Sequence, residues 1–355
     1  MIKKIKIKNF KKLDELQLDN LTKINIIGGE NNTGKTSFLE SLFLFFDLLN
    51  PNAIIKQLVW RGTKGFELTK DSVWLPIFKE FDISKNIEIE LDSYNECSEK
   101  LKIKHNKEFK KKIFSQQLTF DGAENITEPI SITESLDFEY IKDKKTEALV
   151  HSMIDYGKVE FNIEKTTSSL KRAAFIHDSS QNNLNELANA FGKIEVLSQT
   201  KEIVNFLKII EPKLKSLTTI ALGNQSMIYG DIDLKRKVPI QYMGGGTVKL
   251  LSILLHIANV EGGAIFIDEI ENGFHYSVQQ GIWRTIHKAA TKYNCQVFVT
   301  THSYEVIKNL LPILTKKNQK DFSYIRFEKK NNMINTKQYE SDMLQTAIER
   351  SWEVR

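Results

Sequence analysis

Glycine and lysine spacing near the start of the chain is suited to phosphate chemistry. Gly29 and Gly34 enclose four residues and are followed by Lys35 and Thr36, which matches the P-loop pattern GxxxxGK[ST]. In this pattern, backbone N–H groups surround phosphate oxygens, the lysine neutralises them, and the hydroxyl coordinates Mg²⁺. The predicted nucleotide contacts are Gly29, Asn31, Asn32, Thr33, Gly34, Lys35, Thr36 and Ser37.

Two adjacent carboxylates follow an apolar run in the second half of the chain. In "AIFIDEIENGFH", Asp268 and Glu269 come directly after four apolar residues, which is the form of a Walker B motif. The first carboxylate of such a pair holds Mg²⁺, and the second can accept a proton from the attacking water. A solvated strand end is the alternative for the pair taken alone. With the P-loop present, we expect Thr36 and Asp268 as metal ligands and Glu269 as the catalytic base.

Two further motifs could contact the same nucleotide or a second one. The run "VFVTTHS" ends at the carboxyl end of an apolar strand, where His302 could hydrogen-bond a γ-phosphate oxygen or the attacking water. The run "QYMGGGTVKLLSILL" places glycines before an apolar-faced helix, whose N-terminal amides could bind the γ-phosphate of another subunit's nucleotide. Helix capping by Thr247 is the alternative. The residues of this glycine motif are Gly244, Gly245, Gly246 and Thr247.

The elements that must position these residues alternate between strands and helices. Apolar periodicity predicts a strand at 2–7, a strand at 24–27 and a helix at 37–49. After residue 238 it predicts a helix at 247–259, a strand at 264–267, a helix at 277–293 and a strand at 296–299. We therefore expect an α/β protein of the P-loop NTPase class.

A long middle region lacks this α/β alternation. Short alternating runs predict antiparallel strands at 86–94, 100–105 and 117–120, and helical spacing covers 184–214 as far as Pro212. The predicted division is an N-terminal core part at 1–50, an insertion at 51–237, a C-terminal core part at 238–330 and a tail at 331–355.

Composition limits the class of protein. The 355 residues contain 41% hydrophobic residues and carry a net charge of +5, which permits a nucleic-acid surface without requiring one. The densest basic run, 104–114, is more typical of a solvated face than of a phosphate-contacting patch. No apolar run of membrane-spanning length occurs, and the alternating N-terminus indicates a strand instead of a signal peptide. We expect a cytoplasmic protein without membrane partners.

The assembled motifs resemble those of the ABC-type ATPases of the SMC/RecF/OLD group. The resemblance is nearest to bacterial OLD-like (overcoming lysogenisation defect) ATPases, many of them tied to phage defence, and covers about residues 1–50 and 238–310. It implies a two-lobed ABC ATPase head that binds ATP with Mg²⁺, and two heads that enclose two ATP molecules. It assigns the roles given above to Lys35, Thr36, Asp268, Glu269 and His302, with the three glycines as the signature.

Three features depart from the family pattern. Met243 stands where ABC signatures usually begin with Ser, so the hydroxyl is missing or comes from another residue such as Thr247. Gln57 is the only Gln between the P-loop and Gln116, and it comes early for a Q-loop. About fifty residues follow His302, too few for the TOPRIM nuclease domain of OLD nucleases, and the Asp231 and Asp233 pair lies in an expected loop or hairpin.

These observations favour an ATP-hydrolysing dimeric switch, or a higher even-numbered oligomer, that acts on DNA or controls an effector. An ATP-gated scaffold that binds a nuclease or toxin with little turnover is the second hypothesis. The long insertion argues against a transporter motor subunit. The absence of [NT]KxD argues against a GTPase, and the distance between Lys35 and Asp268 argues against a hexameric AAA+ motor.

Overall fold

The structure is a computed structural model. It describes residues 1–50, 52–63, 65–95, 97–112, 130–155, 157–167, 172–177, 184–223, 225–331, 333–350 and 352–354. The strand predicted at 117–120 and the end of the basic run at 104–114 lie outside the described residues. Within those residues no helix is long and apolar enough to cross a membrane.

Helices and strands alternate as expected from Gly245 to Thr300, whereas the N-terminal part places three strands before the first helix. The strands are β1 (Ile2–Phe10), β2 (Leu13–Leu18), β3 (Ile24–Gly29), β4 (Ile87–Ser93), β5 (Ser98–Lys112), β6 (Ile130–Lys142), β7 (Lys145–Asp155), β8 (Lys158–Lys165), β9 (Ala173–Ile176), β10 (Ser216–Leu222), β11 (Gln225–Asp231), β12 (Val238–Pro239), β13 (Ala264–Ile267), β14 (Gln296–Thr300), β15 (Phe322–Lys330) and β16 (Met333–Tyr339). The α-helices are α1 (Lys35–Phe46), α2 (Ala53–Trp60), α3 (Leu184–Val196), α4 (Thr200–Leu207), α5 (Gly245–Asn259), α6 (Gln279–Lys292), α7 (Tyr304–Lys308) and α8 (Ser341–Glu349).

A six-stranded sheet carries the motifs. Its order is β16-β15-β3-β14-β13-β9, and all neighbouring pairs are parallel except β15 with β16. The P-loop strand β3, the His302 strand β14 and the Walker B strand β13 are therefore consecutive, and their carboxyl ends meet at one edge. The predicted α/β P-loop fold with a long insertion is confirmed.

The central strands of this sheet, β3, β14 and β13, are buried on both faces, which explains why they read as largely apolar runs. Ile265 and Ile267 face a core built with α3, α4, α5 and α6. Phe266, between them, faces a second core that contains α1 and the antiparallel sheet. Helix α1, which follows the P-loop, is thus enclosed between two sheets.

The antiparallel sheet has seven strands in the order β2-β1-β4-β5-β6-β7-β8. It includes the strands predicted at 2–7, 86–94 and 100–105, which are confirmed as β1, β4 and β5. Alternation along β4, with Ile87, Ile89 and Leu91 buried, directs one face onto α1.

Two parts of the chain differ from the predicted elements. The single helix predicted at 184–214 is wrong, because α3 and α4 are separated at Ser198, which has φ of +57°. Such a left-handed residue cannot continue a right-handed helix. The core sheet also takes β9 from the predicted insertion range and β16 from the predicted tail range.

Candidate nucleotide-binding and catalytic site

The P-loop connects β3 to α1 through a turn that requires glycine. Gly34 is the N-cap of α1 and has φ of +88°, and a Cβ atom there would lie 2.6 Å from Ile334 Cδ1. Thr33 closes the turn by donating its hydroxyl to the carbonyl oxygen of Glu30 at 2.8 Å. The turn therefore leads into the helix N-terminus, where partial positive charge and amide groups favour an anion.

Lys35 lies inside this turn. Its Nζ atom donates to the carbonyl oxygens of Gly29 and Glu30, both at 2.7 Å. Burial lowers the pKa of Lys35, and the nearby carboxylates of Glu271, Asp268, Glu269 and Glu30 oppose that shift. Asn31 and Asn32 are exposed at the tip of the turn, whereas Thr33 and Ser37 are buried beneath it.

Thr36 and Asp268 meet across the edge of the sheet. The Thr36 hydroxyl donates to the two carboxylate oxygens of Asp268 at 3.0 and 3.2 Å, and Thr300 Oγ1 donates to Asp268 Oδ1 at 2.5 Å. Burial raises the pKa of Asp268 to about 6, although both hydroxyls act to lower it and Glu269 and Glu40 raise it further. A hydroxyl beside one carboxylate is an all-oxygen donor set that suits Mg²⁺ completed by phosphate and water.

Three neighbouring side chains hold Glu269, two through its backbone and one through its carboxylate, and its backbone is left-handed with φ of +47°. Its N–H donates to Thr300 Oγ1 at 2.9 Å, and its carbonyl oxygen accepts from Lys249 Nζ of α5 at 2.9 Å. Its side-chain Oε2 accepts from Asn272 Nδ2 at 2.9 Å. A non-glycine residue in this region is strained, and such strain is concentrated at functional sites.

His302 lies beside the same carboxylate. Its Nδ1 is 3.8 Å from Glu269 Oε1 and 3.0 Å from Glu271 Oε1, and 40% of its side chain is exposed. The backbone N–H of His302 donates to Glu271 Oε1 at 2.7 Å. The structure thus brings Lys35, Thr36, Asp268, Glu269 and His302 to one edge of the sheet.

The glycine motif starts α5 beside the Walker B loop. Gly244 is the N-cap, with φ of +102°, so the alternative of Thr247 as N-cap is wrong. Thr247 is buried and its hydroxyl donates to the carbonyl oxygen of Met243 at 3.2 Å, so this hydroxyl is not presented at the surface. A Cβ at Gly246 would lie 2.8 Å from the carbonyl oxygen of Gly273, which shows how closely α5 packs on that loop.

A buried ionic cluster joins α1 to the turn between β1 and β2 and to the end of α2. Glu40, which is 0% exposed, accepts from Lys11 Nζ at 2.9 Å and from two guanidinium nitrogens of Arg61 at 2.8 and 2.6 Å. Burial lowers the pKa of Lys11 to about 8, against the opposing effect of Glu40. Gln57, the early glutamine, bonds to Lys11 and to the carbonyl oxygen of Glu40 within this cluster.

Sequence reasoning missed four residues that position the others: Thr300, Lys249, Glu271 and Asn272. Of these, only Thr300 could have been found from the sequence. It ends the strand between the P-loop strand and the Walker B strand, where a hydroxyl can contact residues of both. Asp231 and Asp233 lie in the β11 hairpin region, where Asp233 pairs with Lys215. No cluster of three metal-ligating side chains occurs in the part of the chain that the structure describes.

Comparison with known families agrees with this geometry. Residues 24–308 match the family described as "AAA domain, putative AbiEii toxin, Type IV TA system". The chain belongs to this AAA family. It is a P-loop ATPase, and the match extends from the start of β3 to the end of α7.

Two relatives and two solved structures show similarity to this AAA-family chain. An "ATP/GTP phosphatase" of Helicobacter pylori is 27% identical over 91% of this chain and 90% of its own length. An uncharacterized protein of Methanocaldococcus jannaschii is 35% identical over 34% of this chain and 55% of its own length. The SMC head domain from Thermotoga maritima is 10% identical with a TM-score of 0.47, covering 96% of this chain and 99% of that chain. An SMC head bound to the C-winged helix domain of ScpA is 12% identical with a TM-score of 0.49, covering 98% and 99% respectively.

Proposed function

We propose that this ATPase is a dimeric, Mg²⁺-dependent nucleotide switch of the ABC and OLD-like kind. The observation that carries the proposal is the meeting of the P-loop hydroxyl of Thr36, the Walker B carboxylate of Asp268 and the Glu269–His302 pair at one sheet edge. Nucleotide binding would close two heads on each other, and hydrolysis would release them. The difference in contacts between the two states would be the output.

The chemistry follows from the roles of the side chains. Amides of residues 29–37 and the Lys35 ammonium hold the phosphates, and Thr36 with Asp268 would hold Mg²⁺, which supplies charge neutralisation of the phosphate oxygens. Glu269 accepts a proton from water as the water oxygen bonds to the γ-phosphorus and the bond to the bridging oxygen of ADP breaks. Thr300 aligns this step because it holds both the Asp268 carboxylate and the Glu269 amide.

The second head would contribute its glycine motif. Gly244 and Gly245 are exposed at the N-terminus of α5, where the helix amides can approach a γ-phosphate held by the opposing P-loop. Tyr242 beside them is 83% exposed. An exposed aromatic residue next to an anion-binding helix end is a suitable contact for a second copy of the chain.

The decisive experiment measures ATP hydrolysis by the wild-type protein and the Glu269→Gln variant, with oligomeric mass recorded in the same samples. We expect turnover in the wild type, loss of about 10²-fold or more in the variant, and an ATP-dependent dimer that the variant retains. The variant Lys35→Ala is the control, because it should not bind nucleotide. A wild-type protein that hydrolyses ATP only as a monomer would contradict the dimeric switch.

An ATP-gated scaffold with little turnover is the second candidate. Met243 favours it, because its side chain packs against the core near Gly230 and has no hydroxyl to offer a phosphate. This candidate predicts tight ATP binding and dimerisation without measurable turnover, and a separate nuclease or toxin as the regulated partner.

The biological process we propose is phage defence or a related DNA process in the cytoplasm. The toxin system in the family description supports control of an effector. DNA is the alternative partner, and stimulation of turnover by double-stranded DNA would support it. The basic strand β5 carries the lysines that such a contact would use, among them Lys104, Lys107 and Lys110.

A further inference from the structure

Glu271 lies at the centre of the site, although the sequence pattern assigned no function to it within the Walker B run. It follows Glu269 by two residues in the loop after β13 and its side chain is 11% exposed. Its Oε1 accepts the backbone N–H of His302 at 2.7 Å, so it ties the Walker B loop to the end of β14. This contact alone would give Glu271 a structural function.

Two unsatisfied atoms indicate more than that. Within the described residues, Glu271 Oε2 and His302 Nδ1 are both buried without a hydrogen-bond partner. His302 Nδ1 nevertheless lies 3.0 Å from Glu271 Oε1, at an angle that does not form a hydrogen bond. A buried ring nitrogen without a partner costs free energy, and a small rotation of the imidazole ring would let Nδ1–H donate to Glu271 Oε1.

We propose that Glu271 is the positioning residue for His302, holding the ring proton on Nδ1 so that Nε2 accepts a hydrogen bond from the attacking water. This inference rests on the proposed ATP hydrolysis. The hydrogen bond made by one ring nitrogen sets the tautomer of a histidine, so a carboxylate beside Nδ1 selects the Nδ1–H form. Glu269 then receives the proton of a water that His302 has oriented.

The substitutions Glu271→Leu and Glu271→Gln together separate this function from a structural one. Because the His302 amide and Nδ1 both lie against Oε1, Gln keeps an acceptor for both and should keep the Nδ1–H tautomer, whereas Leu removes that acceptor. In Glu271→Leu we expect kcat to fall about 10- to 100-fold, a range typical of partners that orient a functional histidine, and in Glu271→Gln we expect most of kcat to remain. KM and the affinity for a non-hydrolysable ATP analogue should change less than about threefold, because Glu271 does not hold the phosphates.

The ¹⁵N chemical shifts of the His302 ring, assigned with a His302→Gln variant at a pH where imidazoles are neutral, report the tautomer directly. We expect the proton on Nδ1 in the wild type and in Glu271→Gln, and on Nε2 in Glu271→Leu. Glu305→Gln is the matched control, since Glu305 is an exposed carboxylate three residues after His302. It should alter neither the shifts nor kcat.

Each outcome decides between the possibilities. An unchanged tautomer or an unchanged kcat in Glu271→Leu would overturn the proposal and leave Glu271 as a loop anchor. A change of tautomer with the expected loss of kcat in Glu271→Leu, and retention of the tautomer in Glu271→Gln, supports it. If the tautomer changes but the wild type shows no turnover, the positioning contact stands and the proposed hydrolysis fails.

Discussion

At the scale of single residues, the carboxyl group of Asp268 is poised to be neutralised by a cation. Its environment raises its pKa to about 6, mainly through burial, while Thr36 and Thr300 hold both oxygens. An ionised carboxylate in such a place destabilises the folded chain until positive charge arrives. The Asp268 carboxylate, which suits a divalent cation, therefore destabilises the folded protein when no cation is bound.

Replacing Asp268 by Asn should stabilise the protein in chelating buffer at pH 7 or above. The free energy of unfolding should increase by about 1–2 kcal/mol. This is less than the ~3 kcal/mol implied by a pKa of Asp268 that rises from 3.8 to about 6. Because the folded state keeps its proton below about pH 6, wild-type stability rises as pH falls, and the difference should vanish near pH 4. Thermal unfolding from pH 4 to 8 measures this difference in stability, and Asp14→Asn, at an exposed carboxylate, is the control. An Asp268→Asn variant that is less stable than wild type at pH 8 would contradict the prediction.

Lys249 should act on catalysis without touching nucleotide. Its buried Nζ holds the carbonyl oxygen of Glu269, so Lys249→Met would free the strained backbone of the carboxylate that we propose as the catalytic base. We expect kcat to fall about 10- to 100-fold while ATP affinity stays within about threefold. Steady-state kinetics and analogue binding test this beside Lys288→Met, which removes an exposed lysine from α6. Equal losses of binding and turnover would show that the contact only supports folding.

At the scale of elements, a buried His–Asp pair joins strands β6 and β7. His151 Nδ1 and Asp137 Oδ1 are 2.7 Å apart, and the two side chains are 6% and 3% exposed. Burial lowers the pKa of His151, but its bonds to Asp137 and Glu164 outweigh this and leave it raised. Burial raises the pKa of Asp137, but its bonds to His151 and Ser135 leave it lowered.

The pair should therefore stabilise the antiparallel sheet over a defined pH window. The contribution of the pair to stability is present below pH 6.5, the usual pKa of histidine, and is lost as the pH rises through the raised pKa of His151. The contribution is also lost in acid, as the pH falls through the lowered pKa of Asp137. Between pH 6 and 9 we expect the unfolding temperature to fall by roughly 1–4 °C more in wild type than in His151→Gln. His287→Gln is the control, because His287 forms a more exposed pair with Asp321. Identical curves of unfolding temperature against pH for wild type and His151→Gln would contradict the prediction.

Local periodicity predicted the elements of the core because its strands are buried on both faces and its helices have apolar faces. The P-loop and Walker B motifs predicted that Thr36, Asp268 and Glu269 act together, and these residues meet because the carboxyl ends of parallel strands share an edge. The sequence could not predict Lys249 or Glu271, whose partners depend on how α5 and β14 pack. The break at Ser198 was also hidden, since apolar residues on both sides keep helical spacing and only the backbone dihedral ends α3.

At the scale of the whole molecule, the proposed switch depends on a surface that a single head does not use. Gly245 is exposed at the N-terminus of α5 and a Cβ there would meet no atom within 4 Å, so Gly245→Asp should fold normally. Its carboxylate would repel a γ-phosphate brought by a second copy, at a cost of several kcal/mol.

We expect Gly245→Asp to bind ATP as the wild type does, but to lose the ATP-dependent dimer and most turnover. Gly192→Asp is the matched control, because Gly192 also lies in a helix, α3, at a position where an added Cβ would meet no atom within 4 Å. Light scattering with and without ATP measures the mass. Full turnover by Gly245→Asp would show that one head hydrolyses ATP alone, whereas loss of ATP binding would place the defect within the head. Because the wild-type glycine offers only backbone amides to the partner's phosphate, dimer formation should then depend on nucleotide charge, and ADP should support it less than ATP.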